Sequence, residues 1–333
     1  MKKYRTGVVG TGAVGAEMIR ILRERNFPAE ELRVMARSER EQEIAGETFK
    51  VVRTCAEAFD GLDIAFFAGT EGEKGASVEF GWEAVKRGVT VIDNGNDFRM
   101  DERVPLVIPE VNSAAVGRHQ GFIANPNCST IIALMVLAPL HRAAGIRRFT
   151  VSTYQAVSGT GRGAIRELEQ QTRDYAAGKD LKTEVYPHQI AFNVLPQIGS
   201  LKAEMPGYTS EEAKMLFETR KILETEEIRV CATCVRVPVF NGHAEAINVE
   251  FERPIGPDEA REILSAAPGV AVADAVDETV YPMPLDVSGG DNVLAGRIRP
   301  DESVENGLAL FAAGDNLRKG AALNAVQIAE ELI

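Results

Sequence analysis

"TGVVGTGAVGAEMIRIL" (residues 6–22) is the stretch on which the fold turns. A short apolar run ends in Gly10-Thr11-Gly12-Ala13-Val14-Gly15, and an amphipathic pattern follows over 13–26 with Met18, Ile19 and Leu22 on one face. A G-x-G-x-x-G that closes a strand and opens a helix is informative because of that context. The first glycine permits the tight turn, the second lets the backbone approach a pyrophosphate, and the third lets helix pack on strand. The helix N-terminus then offers N–H groups and the positive end of its dipole. An NAD site places an acid on the ribose about 20 residues further on. Here "VMARSER" (34–40) puts Arg37, Ser38 and Arg40 in that place, and a guanidinium suits a 2′-phosphate, so NADP(H) is the expected cofactor.

Further strand-like runs follow at 32–36, 63–69, 89–95 and 121–126, with helical patterns between several of them. That alternation predicts βαβ units and a Rossmann-type parallel sheet. From about residue 146 the texture changes. "RRFTVSTYQAV" (147–157), "IRVCATCVRVPVF" (228–240) and "EAINVEFERP" (245–254) alternate apolar with polar, which predicts an α+β domain with a mixed, largely antiparallel sheet. Asn241-Gly242 suggests a tight hairpin between the last two. The stretch 314–333 reads as an amphipathic helix returning to the first domain. The expected division is 1–127 plus 315–333 for the dinucleotide domain and 128–314 for the second. A chain of 333 residues suits two cores.

The net charge of −12 argues against a nucleic-acid or anionic-membrane surface. No apolar run reaches the roughly 20 residues of a membrane span, and "MKKYRTGVVG" reads as a first strand, not a signal peptide. Four cysteines are too few for a disulfide scaffold, so a reducing cytoplasm is expected.

"ANPNCSTIIAL" (124–134) puts Cys128 where a strand ends and a helix begins. The positive end of the dipole favours a thiolate there. A cysteine nucleophile needs an acid or base, usually histidine. Of four histidines, His119 and His141 read as surface, His188 follows a loop proline, and His243 lies in the turn of "RVPVFNGHAEA". Cys231 and Cys234 alternate on a strand and point to opposite faces, so no metal site is expected. "SGTGRGAIREL" (158–168) is a second glycine-rich turn without a P-loop lysine, which suggests a close backbone approach at an active site.

Together "TGAVGAEMIRIL", "VPLVIPEVN", "ANPNCST", "TYQAVSGTGRG", "FNVLPQIG", "EEAKMLFETRKI", "RVPVFNGHAEA" and "DNLRKGAALNAVQIAEELI" resemble the aspartate-β-semialdehyde dehydrogenases, the bacterial branch in particular, over nearly the whole chain. The resemblance implies Cys128 as nucleophile, His243 as acid/base and Gln155 as the residue that positions the thioester. It implies Arg236 for the substrate α-carboxylate, Glu211 for its amine, and Lys214, Arg99 and Asn127 for phosphate. It places Ser158, Gly159 and Asn316 with the cofactor beside the glycine loop. It further implies a homodimer or dimer-based tetramer, and a place in lysine, threonine and methionine biosynthesis. N-acetyl-γ-glutamyl-phosphate reductase shares the acyl-phosphate logic but needs no ammonium site. A non-catalytic paralogue is the alternative from another class. Two departures stand out: the nucleotide loop is one residue shorter than the family's Gly-Ala-Thr-Gly-Ala-Val-Gly, and Asn94-Gly95-Asn96 replaces Asn-Ser-Ser or Asn-Thr-Ser.

Overall fold

The computed structural model describes residues 2–69 and 75–333. The chain divides into two compact units, Met1–Asn127 with Gly320–Ile333, and Cys128–Lys319.

The first unit is built on a seven-stranded sheet in the order β3-β4-β2-β1-β5-β6-β7, where β1 is Tyr4–Val9, β2 Ala29–Ala36, β3 Arg40–Ile44, β4 Glu47–Arg53, β5 Ile64–Phe67, β6 Thr90–Asp93 and β7 Phe122–Ala124. Every pairing is parallel except β3 with β4. The short central strands are buried on both faces, which is why they read as unbroken apolar runs. The β3–β4 ribbon went unseen in the sequence. Its two-residue turn has Ala45 and Gly46 both at positive φ, the primed geometry of a tight hairpin, but without the Asn or Asp that signals it. The helix Ala13–Glu24 buries Met18, Ile19 and Leu22 in a core shared with Val326 and Ile328. The C-terminal helix is shorter than expected. Gly314 ends a strand, a π-helical turn spans Arg318–Ala322, and the helix proper is Leu323–Glu330. Six of its eight residues are buried, so it is a core helix instead of an amphipathic one.

The second unit has a six-stranded mixed sheet ordered β11-β12-β13-β10-β8-β9, with β8 Ile146–Gln155, β9 Arg229–Arg236, β10 His243–Phe251, β11 Val270–Val272, β12 Val293–Pro300 and β13 Gly307–Gly314. The pairs β8–β10, β10–β13 and β12–β13 are antiparallel; β8–β9 and β11–β12 are parallel. One face carries the helices Cys128–Ala144, Ser210–Leu223 and Pro257–Ala266. The expected β9–β10 hairpin does not form. β8 lies between the two strands, and the connection 237–242 crosses its end. There Val157 and Ser158 donate backbone hydrogen bonds to Val239 and Phe240. Parallel pairing of β8 with β9 overrides the local turn signal of Asn241-Gly242.

Residues 315–319, assigned by sequence to the first domain, group with the second unit. Their hydrogen bonds explain it: Asp315 Oδ2 accepts from Asn241 Nδ2 and Gly289 N, and Asn316 Oδ1 accepts from Gly242 N.

Candidate active site

The crossover at the end of β8 assembles the second unit's polar site. Gln155, the last residue of β8, pairs with Arg236, the last of β9. The antiparallel register that sets Tyr154 opposite Ala244 brings His243, the first residue of β10, beside Gln155 on its other flank. His243 pairs in turn with Gly314. Arg236, Gln155 and His243 thus form one row across three strands, spaced by roughly 4.8 Å per strand. All three are at most 5% exposed.

Each side chain in the row is fixed. Arg236 Nη1 donates to the Ala156 carbonyl at 2.6 Å. Gln155 Oε1 accepts from the Thr153 hydroxyl at 3.0 Å, which leaves its Nε2 to donate to Glu211 Oε1 at 3.1 Å. His243 Nδ1 accepts from Ala156 N–H at 3.1 Å. A neutral imidazole with an accepting Nδ1 carries its proton on Nε2. Burial, reinforced by the Arg236 cation, pushes His243 down to about 3, so the neutral form prevails at working pH.

Glu211 belongs to the helix Ser210–Leu223, whose start is set by a capping box between Thr209 and Glu212. Lys214 Nζ lies 3.3 Å from Glu211 Oε2, one turn along. Cys128 is the first residue of its helix and is half-buried. That helix packs on the strand next to His243 and on the Glu211 helix. A Cβ at Gly314 would lie 2.9 Å from Ile132, one turn beyond Cys128, and Thr130 Oγ1 lies 3.7 Å from Met215 Sδ, one turn beyond Glu211. The thiol therefore opens a helix held against both the histidine's neighbour and the Glu211 helix.

Ser158 and Asn316 meet through hydrogen bonds at 2.9–3.1 Å, and Asn241 joins them by accepting from Ser158 Oγ. Gly159 faces the row: a Cβ there would sit 3.0 Å from Arg236 Nη1 and 3.2 Å from His243 Nε2. The second glycine-rich turn thus keeps space open in front of the histidine. Thr153 and Ala156 were not singled out in the sequence, and Asn241 only as a turn residue. Thr153 had a signal, since it lies two before Gln155 on one strand face.

In the first unit, Gly10 has φ +107° and a Cβ at Gly15 would lie 2.0 Å from the Gly10 carbonyl oxygen, so both glycines are required by the chain's own packing. At Gly12 a Cβ would meet nothing within 4 Å. Its exposed backbone opens the helix Ala13–Glu24, as a pyrophosphate cradle needs. A cleft of about 480 Å³ beside it is lined by Gly10, Ala36, Arg37, Thr54 and Glu79, among others. Arg40 ties this corner together, donating to Thr11 Oγ1 at 2.7 Å and to the Ser38 carbonyl at 2.9 Å. These residues fit a dinucleotide. Arg99 and Asn127, both buried, belong to this unit, and Arg99 Nη2 donates to the Asn94 carbonyl at 2.8 Å.

Among the remaining histidines, His141 is not at the surface as expected. It is half-buried, burial lowers its basicity, and its Nδ1 accepts from Ile146 N at the end of its helix. Cys231 is exposed and Cys234 buried, on opposite faces of β9.

Two family profiles match the chain: the semialdehyde dehydrogenase NAD-binding domain over residues 5–119, and the semialdehyde dehydrogenase dimerisation domain over 137–319. An aspartate-semialdehyde dehydrogenase of Aquifex aeolicus is 49% identical over 99% of this chain and 98% of its own length. The chain belongs to the aspartate-semialdehyde dehydrogenase family. A Bacillus subtilis member is 44% identical over 98% of this chain and 96% of its own. The crystal structure of aspartate semialdehyde dehydrogenase II from Vibrio cholerae, 42% identical, superposes with a TM-score of 0.92 over 99% of this chain and 98% of that one. The same enzyme complexed with ASA matches equally well. Membership of the aspartate-semialdehyde dehydrogenase family accounts for both sheets: a nicotinamide-binding domain followed by a dimerisation domain. No helix among the described residues is long and apolar enough to cross a membrane.

Proposed function

We propose that the chain interconverts L-aspartate 4-semialdehyde, phosphate and NADP+ with 4-phospho-L-aspartate and NADPH in the cytoplasm, through a thioester on Cys128. The observation that carries this reading is the row Arg236–Gln155–His243 closed by Glu211. A buried guanidinium and a buried carboxylate on one site match a ligand that bears both carboxylate and ammonium. An N-acetylated substrate has no ammonium to offer Glu211.

In the biosynthetic direction the Cys128 thiolate attacks the acyl carbon, the C–S bond forms, and the C–O bond to phosphate breaks with phosphate leaving. The nicotinamide, when bound, supplies the hydride. His243, neutral with its proton on Nε2, donates a hydrogen bond to the carbonyl oxygen as that oxygen gathers charge. Collapse then breaks the C–S bond and returns the thiolate with free aldehyde. Gln155 is oriented by Thr153 to hold the acyl group, and Arg236 and Glu211 fix the amino-acid end. Arg99 and Asn127 of the first unit and Lys214 of the second are the residues this reading assigns to phosphate. Arg37, and Ser38 held by Arg40, favour the 2′-phosphate of NADP(H); no acid follows β2 at 37–40 except Glu39.

The sheet face opposite the helices supports a homodimer. Tyr154, Tyr281 and Met283 there are 38–40% exposed and line an open apolar cleft with Phe311. Sedimentation that finds only single chains would contradict it.

The test is phosphate-dependent reduction of NADP+ with aspartate semialdehyde. Turnover with N-acetylglutamate semialdehyde instead would assign the chain to the other reductase. NADH serving as well as NADPH would remove the Arg37/Ser38 argument.

A further inference from the structure

Asp93 ends β6 at the carboxyl edge of the parallel sheet, where ligands of such sheets bind. It is fully buried. Its Oδ1 accepts from the Ser77 hydroxyl at 2.6 Å and from Gly95 N–H at 2.8 Å. Its Oδ2 is buried with no hydrogen-bond partner among the described residues. Burial pushes this carboxyl up to about 6, so at neutral pH it is an anion kept where an anion is costly. A carboxylate held at such a cost at the ligand-binding edge of the sheet is a candidate functional position.

What it holds is the loop 94–99. Gly95 is drawn so close that a Cβ there would stand 3.0 Å and 3.1 Å from the Asp93 oxygens and 3.2 Å from Ser77 Oγ. A hydroxyl from a separate segment thus fills the place a side chain at 95 would take, which gives a reason for glycine in Asn94-Gly95-Asn96. Asn94, caught between Asp93 and Gly95, presents its carbonyl to Arg99 Nη2. Its side chain is fixed too: Nδ2 donates to the Phe67 carbonyl, and Oδ1 accepts from Asn125, whose own oxygen accepts from Asn324.

We propose that Ser77 and Asp93 are positioning residues that clamp the loop 94–99 and so aim the Arg99 guanidinium at the phosphoryl group. The proposal rests on the reading of Arg99 as a phosphate-site residue. Neither residue touches the reacting atoms, so the clamp acts on capture of phosphate and not on the chemical step.

The experiment measures the KM for inorganic phosphate, kcat and NADP+ affinity of the full chain carrying Ser77→Ala, Gly95→Ala, Asp93→Ala or Asp93→Asn, with Arg99→Ala as reference. Ser77→Ala, which removes one hydrogen bond, and Gly95→Ala, whose Cβ would crowd the Asp93 carboxylate, are each expected to raise the KM for phosphate about fivefold, with kcat and NADP+ affinity within about twofold. Asp93→Ala should raise it more. Asp93→Asn, which keeps an acceptor at Oδ1, should restore most of the wild-type KM. If Asp93→Ala fails to fold, Ser77→Ala and Gly95→Ala still decide. An unchanged KM for phosphate in Ser77→Ala and Gly95→Ala, while Arg99→Ala raises it, overturns the clamp and leaves the phosphate reading standing. An unchanged KM in Arg99→Ala removes the phosphate reading, and the proposal falls with it.

Discussion

The chain has two glycine-rich turns from strand to helix, one in each unit, and they use glycine for different ends. In the first, Gly15 is demanded from within, because a Cβ would strike the Gly10 carbonyl, while Gly12 faces open space. In the second, the Cβ missing at Gly159 would meet Arg236 and His243, the charged and proton-bearing groups of the row. The first turn brings an exposed glycine backbone to the start of a helix, where a ligand's phosphates could approach it. The second leaves a gap beside reacting groups. We propose that the first pattern serves cofactor capture and that Gly159, placed with the cofactor by resemblance, also keeps the row clear, and each assignment can be broken separately.

The largest effect is expected at the nucleophile. Cys128→Ser should lower turnover by at least about 10⁴-fold while leaving NADPH binding intact. Fluorescence titration of the cofactor checks the second half, and lost binding would undo the separation of roles. Gly159→Ala comes next. Its methyl would displace His243 or Arg236 by a few tenths of an ångström or more, and misplaced catalytic groups cost up to about 10²-fold. We expect a loss in kcat larger than any loss in cofactor affinity, with melting temperature nearly unchanged. Gly12→Ala should do the opposite, weakening NADP(H) about tenfold through lost backbone approach, with kcat at saturation and stability preserved. A melting temperature that falls with Gly12→Ala would show its glycine to be structural after all.

A separate effect, read on stability instead of activity, is one of pH. Native His243 titrates near 3 and an unfolded histidine near 6.5. The unfolded chain therefore binds the extra proton, and stability present above pH 6.5 is lost as pH falls towards 3. His243→Asn, which keeps an acceptor for Ala156 N–H, should flatten that part of the melting curve against pH.

Much of this organisation was legible in the sequence because it is local. The glycine loop, the helix behind it and Cys128 at a helix start are each set by residues within a few positions of one another. The row was legible only through resemblance. Nothing in the spacing of residues 155, 236 and 243 brings them side by side; that follows from β8 pairing with β9 on one flank and β10 on the other. Long-range pairing also misled the reading of Asn241-Gly242, whose local preference for a hairpin yields to the crossover. The β3–β4 ribbon was missed because Ala45 adopts a conformation that sequence associates with Asn or Gly. The returning helix begins only at Leu323, since Asp315 and Asn316 are spent on Asn241, Gly289 and Gly242.

The central claim is that Cys128 carries the acyl group between the two half-reactions. Mixing the enzyme with aspartate semialdehyde and NADP+ without phosphate should give a burst of about one NADPH per chain, with the acyl mass found on the peptide containing Cys128. No burst, or the acyl group on another residue, would contradict it.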